Sequence, residues 1–194
     1  MSYIRRTLLI SMLGLLTACS SGTSTSYYLL EPVIEAPVNI NDDISLEILD
    51  LEIPQYMERF QIASRRSDNQ VVFSTSSQWG ENLRKNITRV MARNLIHELE
   101  TSSIGTPGSR LNVAADFKTK IYIERFERGA DGYVQLVARW QLMDANSQTL
   151  SSRSYRSSGA NRIDPSDYAS TVASMSELLG EFSRELAGTI RSVQ

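Results

Sequence analysis

The chain has one cysteine, Cys19, and one histidine, His97. Any chemistry that needs a thiolate, or a base that titrates near neutral pH, must start from these two. His97 lies eighteen residues after Trp79. That is about five turns of an α-helix, which puts it over Trp79 at the margin of an apolar stripe, the place of a packing or solvent-facing residue. No GxSxG and no second histidine are present to build a triad. Asp42-Asp43 has no partners at metal-ligand spacing, and the Gly105/Gly108 and Gly129/Gly132 pairs do not join a strand to a helix as a phosphate loop requires. The expectation is no catalytic residue, no metal and no cofactor.

Cys19 is different, because of what precedes it. Arg5 and Arg6 are followed by an apolar run from Thr7 to Leu16, too short to cross a bilayer, and then by Thr17 and Ala18. Leu16-Thr17-Ala18-Cys19 resembles the lipobox of bacterial lipoproteins. It implies cleavage before Cys19 and acylation of its sulfur, and several acyl chains hold far more firmly than one. Position 20 is serine, not the aspartate that usually retains enteric lipoproteins in the inner membrane, so the resemblance implies the outer membrane, on its periplasmic side. The alternative is an ordinary secreted chain with a free thiol beside its cleavage site. Residues 1–18 are thus read as a lipoprotein signal peptide, 19–26 as a lipidated tether, and 27–194 as a single periplasmic domain. The seven residues from Ser20 to Ser26 follow Cys19, a reach of at most about 25 Å.

Cleavage removes Arg5 and Arg6 and takes the formal charge from −2 to about −4, which argues against nucleic acid as a partner. With Cys19 acylated no thiol remains for a disulfide, so packing must hold the fold.

The elements follow from periodicity. Ser26 to Leu30 reads as a short strand, followed by a loop through Pro32, Pro37 and Asp42-Asp43 that composition gives no reason to order. Ile44, Leu46 and Ile48 alternate, then the apolar set slips to Leu49, Leu51 and Ile53, as at a bulge in one strand. Ile53-Pro54-Gln55-Tyr56-Met57 turns the chain, and 61–66 with 71–76 form a hairpin across Asp68-Asn69. Trp79, Leu83, Ile87, Val90, Met91, Leu95 and Leu99 recur at helical spacing, with Ser77 placed to cap and Glu81 in the first turn. Strands follow over 117–127, 133–143 and 150–157, the last polar enough for an edge. Asp164-Pro165 opens a final helix whose stripe is Tyr168, Val172, Met175, Leu179, Phe182, Leu186, Ile190 and Val193. The class is α+β: a largely antiparallel sheet with two long amphipathic helices packed on one face.

Lys85, Arg89 and Arg93 fall at i, i+4 and i+8 on the first helix. They read either as a solvated face with a Glu81 to Lys85 pair worth a few tenths of a kcal/mol, or as a ridge meeting lipid headgroups or an acidic partner. Trp79 and Trp140 read as core aromatics.

The order of landmarks resembles the PqiC/YmbA family, the auxiliary lipoproteins of ABC-type, MCE-containing transport systems. It is carried by Tyr27-Tyr28-x-Leu30, by Ile53-Pro54-Gln55-Tyr56-Met57, by Trp79-x-x-x-Leu83 leading to Asn94-Leu95-x-x-x-Leu99, and by Ile123-x-x-Phe126, Gly132-Tyr133-Val134 and Arg139-Trp140-x-Leu142. Met57 stands where the family usually has leucine, and the segment from Arg110 to Lys120 is more polar than the family's. The motif residues Tyr28, Pro54, Tyr56, Trp79, Leu83, Leu95, Leu99 and Trp140 are expected to be structural. The resemblance implies a non-enzymatic accessory that docks an MCE-domain protein at the outer membrane, and self-association would match a ring-shaped partner. Three other readings stay open: a lipoprotein that regulates or assembles another envelope machine, such as a peptidoglycan synthase or lipopolysaccharide assembly, an enzyme dependent on His97, and a direct lipid carrier.

Overall fold

The computed structural model describes residues 24–34, 38–111 and 114–194. Cys19 and the signal lie outside the described residues. The elements are β1 (Ser26–Tyr28), β2 (Leu46–Glu52), a 3-10 turn (Gln55–Glu58), β3 (Gln61–Ser67), β4 (Gln70–Trp79), α1 (Leu83–Leu99), β5 (Ile104–Gly105), β6 (Phe117–Arg128), β7 (Val134–Asp144), β8 (Thr149–Ser158) and α2 (Tyr168–Val193).

The strands form one mixed sheet, and β6 is its spine. One edge of β6 pairs antiparallel with β7 along its whole length, and β7 pairs antiparallel with β8. The other edge is shared. β2 runs parallel to its first half, from Leu46 opposite Phe117 to Glu52 opposite Tyr122, and β3 rejoins at Ser64 opposite Arg128. Between them the chain leaves the sheet at Pro54, which has no N–H to donate, and makes the 3-10 turn. From β3 the hairpin to β4 carries the sheet outward to β1, which lies parallel to β4, while short β5 lies parallel to β2. The longest ladders are antiparallel, as the hairpins in the sequence imply. The parallel pairings of β1, β2 and β5 have no sequence signal, because they join segments far apart in the chain.

Both helices cover one face. Val134, Leu136, Ala138, Trp140 and Leu142 of β7 are at most 2 % exposed, the alternation read from the sequence. The slip after Ile48 is a register shift between Ile48 and Asp50, and β6 has its own between Ile123 and Arg125. That second bulge returns Phe126 to the buried face beside Ile123 and sends Glu127 to the opposite face.

Several boundaries differ from the sequence reading. Trp79 ends β4, so Ser77 caps nothing. α1 starts at Leu83 behind Asn82, whose Oδ1 accepts from Lys85 N at 3.1 Å, and Glu81 precedes the helix. With Trp79 in a strand, the five-turn relation to His97 is void. α2 is capped by Asp167, whose Oδ1 accepts from Ser170 N at 2.9 Å, so Asp164 and Pro165 belong to the turn before it. Val193 is 41 % exposed, because the α2 stripe runs off the end of the core. α2 also buries more than its stripe: Ser176, Gly180 and Ser183 are covered as well.

Candidate functional site

Part of what covers them is the segment after β1, where Leu29 and Leu30 leave the strand they were expected to continue and lead into the stretch expected to be an unordered loop. After β1, residues 29–34 run across the two helices as a strap. A strand there would find its N–H and C=O partners in a ladder, but the strap finds them in side chains, as buried backbone must. Asn86 of α1 clamps Leu30 from both sides: its Oδ1 accepts from Leu30 N at 2.8 Å and its Nδ2 donates to Leu30 O at 3.2 Å. Two turns on, Asn94 Oδ1 accepts from Val33 N at 3.0 Å, and Ser176 Oγ of α2 accepts from Glu31 N at 3.2 Å. Gly180 gives Val33 its seat, since a Cβ there would stand 3.1 Å from Val33 Cβ. Asn86 and Asn94 are 1 % and 2 % exposed. They sit at i and i+8 among apolar positions, and that is the signal which could have found the strap. Leu30 is fully buried and Tyr28 packs against the same core.

On the sheet face away from the helices a second cluster closes the gap between β2 and β3. Glu127, 1 % exposed, accepts from Tyr56 Oη at 2.6 Å and from Arg65 Nε at 2.7 Å. Burial, then the carboxylate beside it, pushes the Tyr56 phenol well above the usual tyrosine range. Burial alone would lower Arg65, but Glu127 and Tyr56 outweigh it and hold the guanidinium more firmly charged. The trio pins the 3-10 turn over β6. Tyr56 also lines an open depression of about 680 Å³ with Gln55, Arg59, Val71 and Phe73, and what the trio itself does is hold the turn. The Pro54 and Tyr56 motif thus has a physical role, and its partners Glu127 and Arg65 went unread because they are distant in sequence.

The basic ridge of α1 lines a cleft of about 620 Å³ between the helix and the Thr106–Gly108 turn. Lys85, Arg89 and Arg93 stand along one wall with Arg84, and Ala92 and Pro107 supply apolar surface over the buried Leu51. Arg89 pairs with Glu81 at 2.7 Å, so the Glu81 to Lys85 pair expected from sequence does not form, and Arg84 meets Glu58 at 3.7 Å. Lys85 and Arg93 are exposed and make no ion pair among the described residues. Asp50 is the one carboxylate on the lining.

The remaining motif residues are core: Trp79, Leu83, Leu95, Leu99 and Trp140 are at most 3 % exposed. His97 is half-buried near the end of α1, and its carbonyl accepts from Glu100 N at 3.4 Å. Among the described residues there is no group of three or more His, Cys, Asp or Glu placed to hold a metal, and no helix is long and apolar enough to cross a membrane.

The architecture is an eight-stranded mixed sheet under two helices, entered through a strapped N-terminal segment. The chain belongs to the family of ABC-type transport auxiliary lipoprotein components, which it matches over residues 27–187. Two crystal structures share the fold. Protein XCC0632 from Xanthomonas campestris, of family DUF330, is 13 % identical with a TM-score of 0.64 over 88 % of this chain and 94 % of its own. An uncharacterized protein is 18 % identical with a TM-score of 0.63 over 88 % of this chain and 99 % of its own. No curated protein sequence matches the chain.

Proposed function

We propose that the protein is a non-enzymatic, outer-membrane-anchored periplasmic lipoprotein that docks the MCE-domain component of an ABC-type transport system and so assists the passage of lipids or other hydrophobic molecules between membranes. Family membership supports an accessory transport role. The observation that carries the rest is the strap: the segment following the tether is locked to both helices through Asn86, Asn94 and Ser176, so a lipid on Cys19 would fix the position of the whole body. Acyl chains on Cys19 hold the protein at the membrane, the short tether keeps it close, and Ser20 favours the outer membrane. The ATPase and the lipid path belong to the partners.

The test is crosslinking in intact envelopes followed by capture through a C-terminal tag, with Cys19→Ala as the control. The expected outcome is recovery of an MCE-domain protein and its ABC partners, weakened in the unlipidated control. Recovery of a peptidoglycan synthase or of lipopolysaccharide-assembly proteins, with no MCE-domain protein, would overturn the reading in favour of a regulator or assembly factor.

A further inference from the structure

We infer that the cleft between α1 and the Thr106–Gly108 turn receives an acidic amphipathic helix of a partner protein. The cleft joins two features that a merely solvated helix face does not need together. One is a row of cations: Lys85, Arg89 and Arg93 recur once per turn along the wall, spanning about 12 Å. The other is an apolar surface beside that row, offered by half-buried Ala92 and exposed Pro107 over the buried Leu51.

The spacing selects the occupant. A row of charges about 6 Å apart is the complement of carboxylates at i, i+4 and i+8 on another helix. The apolar lining then takes the adjacent apolar positions of that helix, the helix-in-groove mode of recognition. A single lipid headgroup would engage one or two of these cations and leave the rest of the row idle. An acyl chain would want an enclosed apolar pocket, and this cleft is open along its side. Lys85 and Arg93 make no ion pair among the described residues, so they meet an incoming carboxylate without first breaking a contact. Arg89 already holds Glu81 and Arg84 faces Glu58, so Lys85 and Arg93 are the cations left to an incoming carboxylate. Asp50 on the lining repels a second acidic stripe, which leaves one orientation: acidic edge on α1, neutral or basic edge toward Asp50.

The experiment uses the mature chain and a fluorescent eighteen-residue synthetic helix with Glu at i, i+4 and i+8 beside a leucine stripe, with its Gln twin and phosphatidylglycerol vesicles as comparators. The Glu helix should bind roughly tenfold more tightly than the Gln twin at low salt, with the difference shrinking as salt rises. The exposed double reversal Lys85→Glu/Arg93→Glu should abolish that difference, while Arg153→Glu/Arg156→Glu on β8 should not. Equal binding of the two helices, or a difference that survives Lys85→Glu/Arg93→Glu, overturns the inference. So does vesicle binding that depends on Lys85 and Arg93 when helix binding does not, which would make the ridge a membrane contact.

A photo-crosslinker at Ala92 in intact envelopes separates this inference from the reading under Proposed function, on which it does not rest. Crosslinks should land in a helical segment with Glu or Asp at three- and four-residue spacing, and crosslinks to lipid or to a segment without such a stripe overturn the inference. If that segment belongs to a protein outside any ABC transport system, the cleft assignment stands and the transport reading falls. If envelope capture recovers an MCE-domain protein whose contacts avoid the cleft, the reverse holds.

Discussion

The side chains that matter most to this molecule are those that hold backbone where no ladder can. Glu127 is buried against Arg65 and Tyr56, and a buried charge that loses its partner costs far more than the intact pair contributes. Glu127→Ala should therefore lower stability by about 3 kcal/mol, whereas Tyr56→Phe, which removes one hydrogen bond and keeps the ring, should cost about 1 kcal/mol. Urea unfolding of the two variants checks the order, and equal losses would mean that the Tyr56–Glu127 hydrogen bond, not the pairing with Arg65, carries the contribution. Acid should weaken the fold through a different set. Asp167 lies below the usual aspartate range because Ser170 N donates to it, and Asp42, Asp116 and Asp164 are lowered by hydrogen bonds from Ser102, Ser45 and Ser166. A lowered folded-state pKa means that each contribution is complete above about pH 4 and is lost as pH falls through the folded value. Asparagine caps as well as aspartate but does not titrate, so Asp167→Asn should lose less stability than the wild type between pH 5 and pH 3.

Among the elements, the strap departs furthest from what local sequence implies. Asn86→Ala or Asn94→Ala removes partners of Leu30 or Val33 while leaving the apolar stripe of α1 intact. The expected result is faster amide exchange at Leu30, Glu31 and Val33 with little change in β6 and β7, and uniform protection loss across the sheet would show that the strap is part of the global unit. The end of α1 offers a gain instead. Glu100 closes it at φ +55°, with its N–H donating to the carbonyls of His97 and Ile96, and a side chain there costs about 1 kcal/mol relative to glycine. Glu100→Gly should raise the melting temperature, offset in part by the greater freedom of glycine in the unfolded chain. Periods of 3.6 and 2 were legible because α1, α2 and β7 each bury one face: the stripes from Leu83 to Leu99 and from Val172 to Ile190 are core as read. Helix starts were not, because Ser77 and Asp164 have the chemistry of a cap and only tertiary pairing shows that Asn82 and Asp167 take the role. The strap was illegible for the same reason: its hydrogen-bond partners lie between 56 and 145 residues away. The ridge of α1 was legible as a pattern, but the cleft beside it needed the turn after β5.

At the scale of the whole molecule, β6 gathers both arms of the sheet, since β2 and β3 share one of its edges and β7 takes the other. Trp79 lies on one arm and Trp140 on the other. If residues 27–194 are one cooperative domain, single-tryptophan variants made by Trp79→Phe and Trp140→Phe should report coincident unfolding transitions, and separated midpoints would show two units. The order in which contacts meet a load follows from the same layout. A pull applied at residue 19 is carried first by the three-residue pairing of β1 with β4, then by the side-chain clamps on Leu30, Glu31 and Val33 together with the burial of Leu30 in the apolar core. These holds are in series, so tension would peel them in turn from the β1 edge of the sheet, ahead of the longer ladders of β6, β7 and β8. Freeing residues 26–33 would pay out about 25 Å of chain, roughly doubling the leash. The strap would then act as a mechanical fuse, letting the body ride away from its anchor when the envelope flexes and drawing it back when the strain is released.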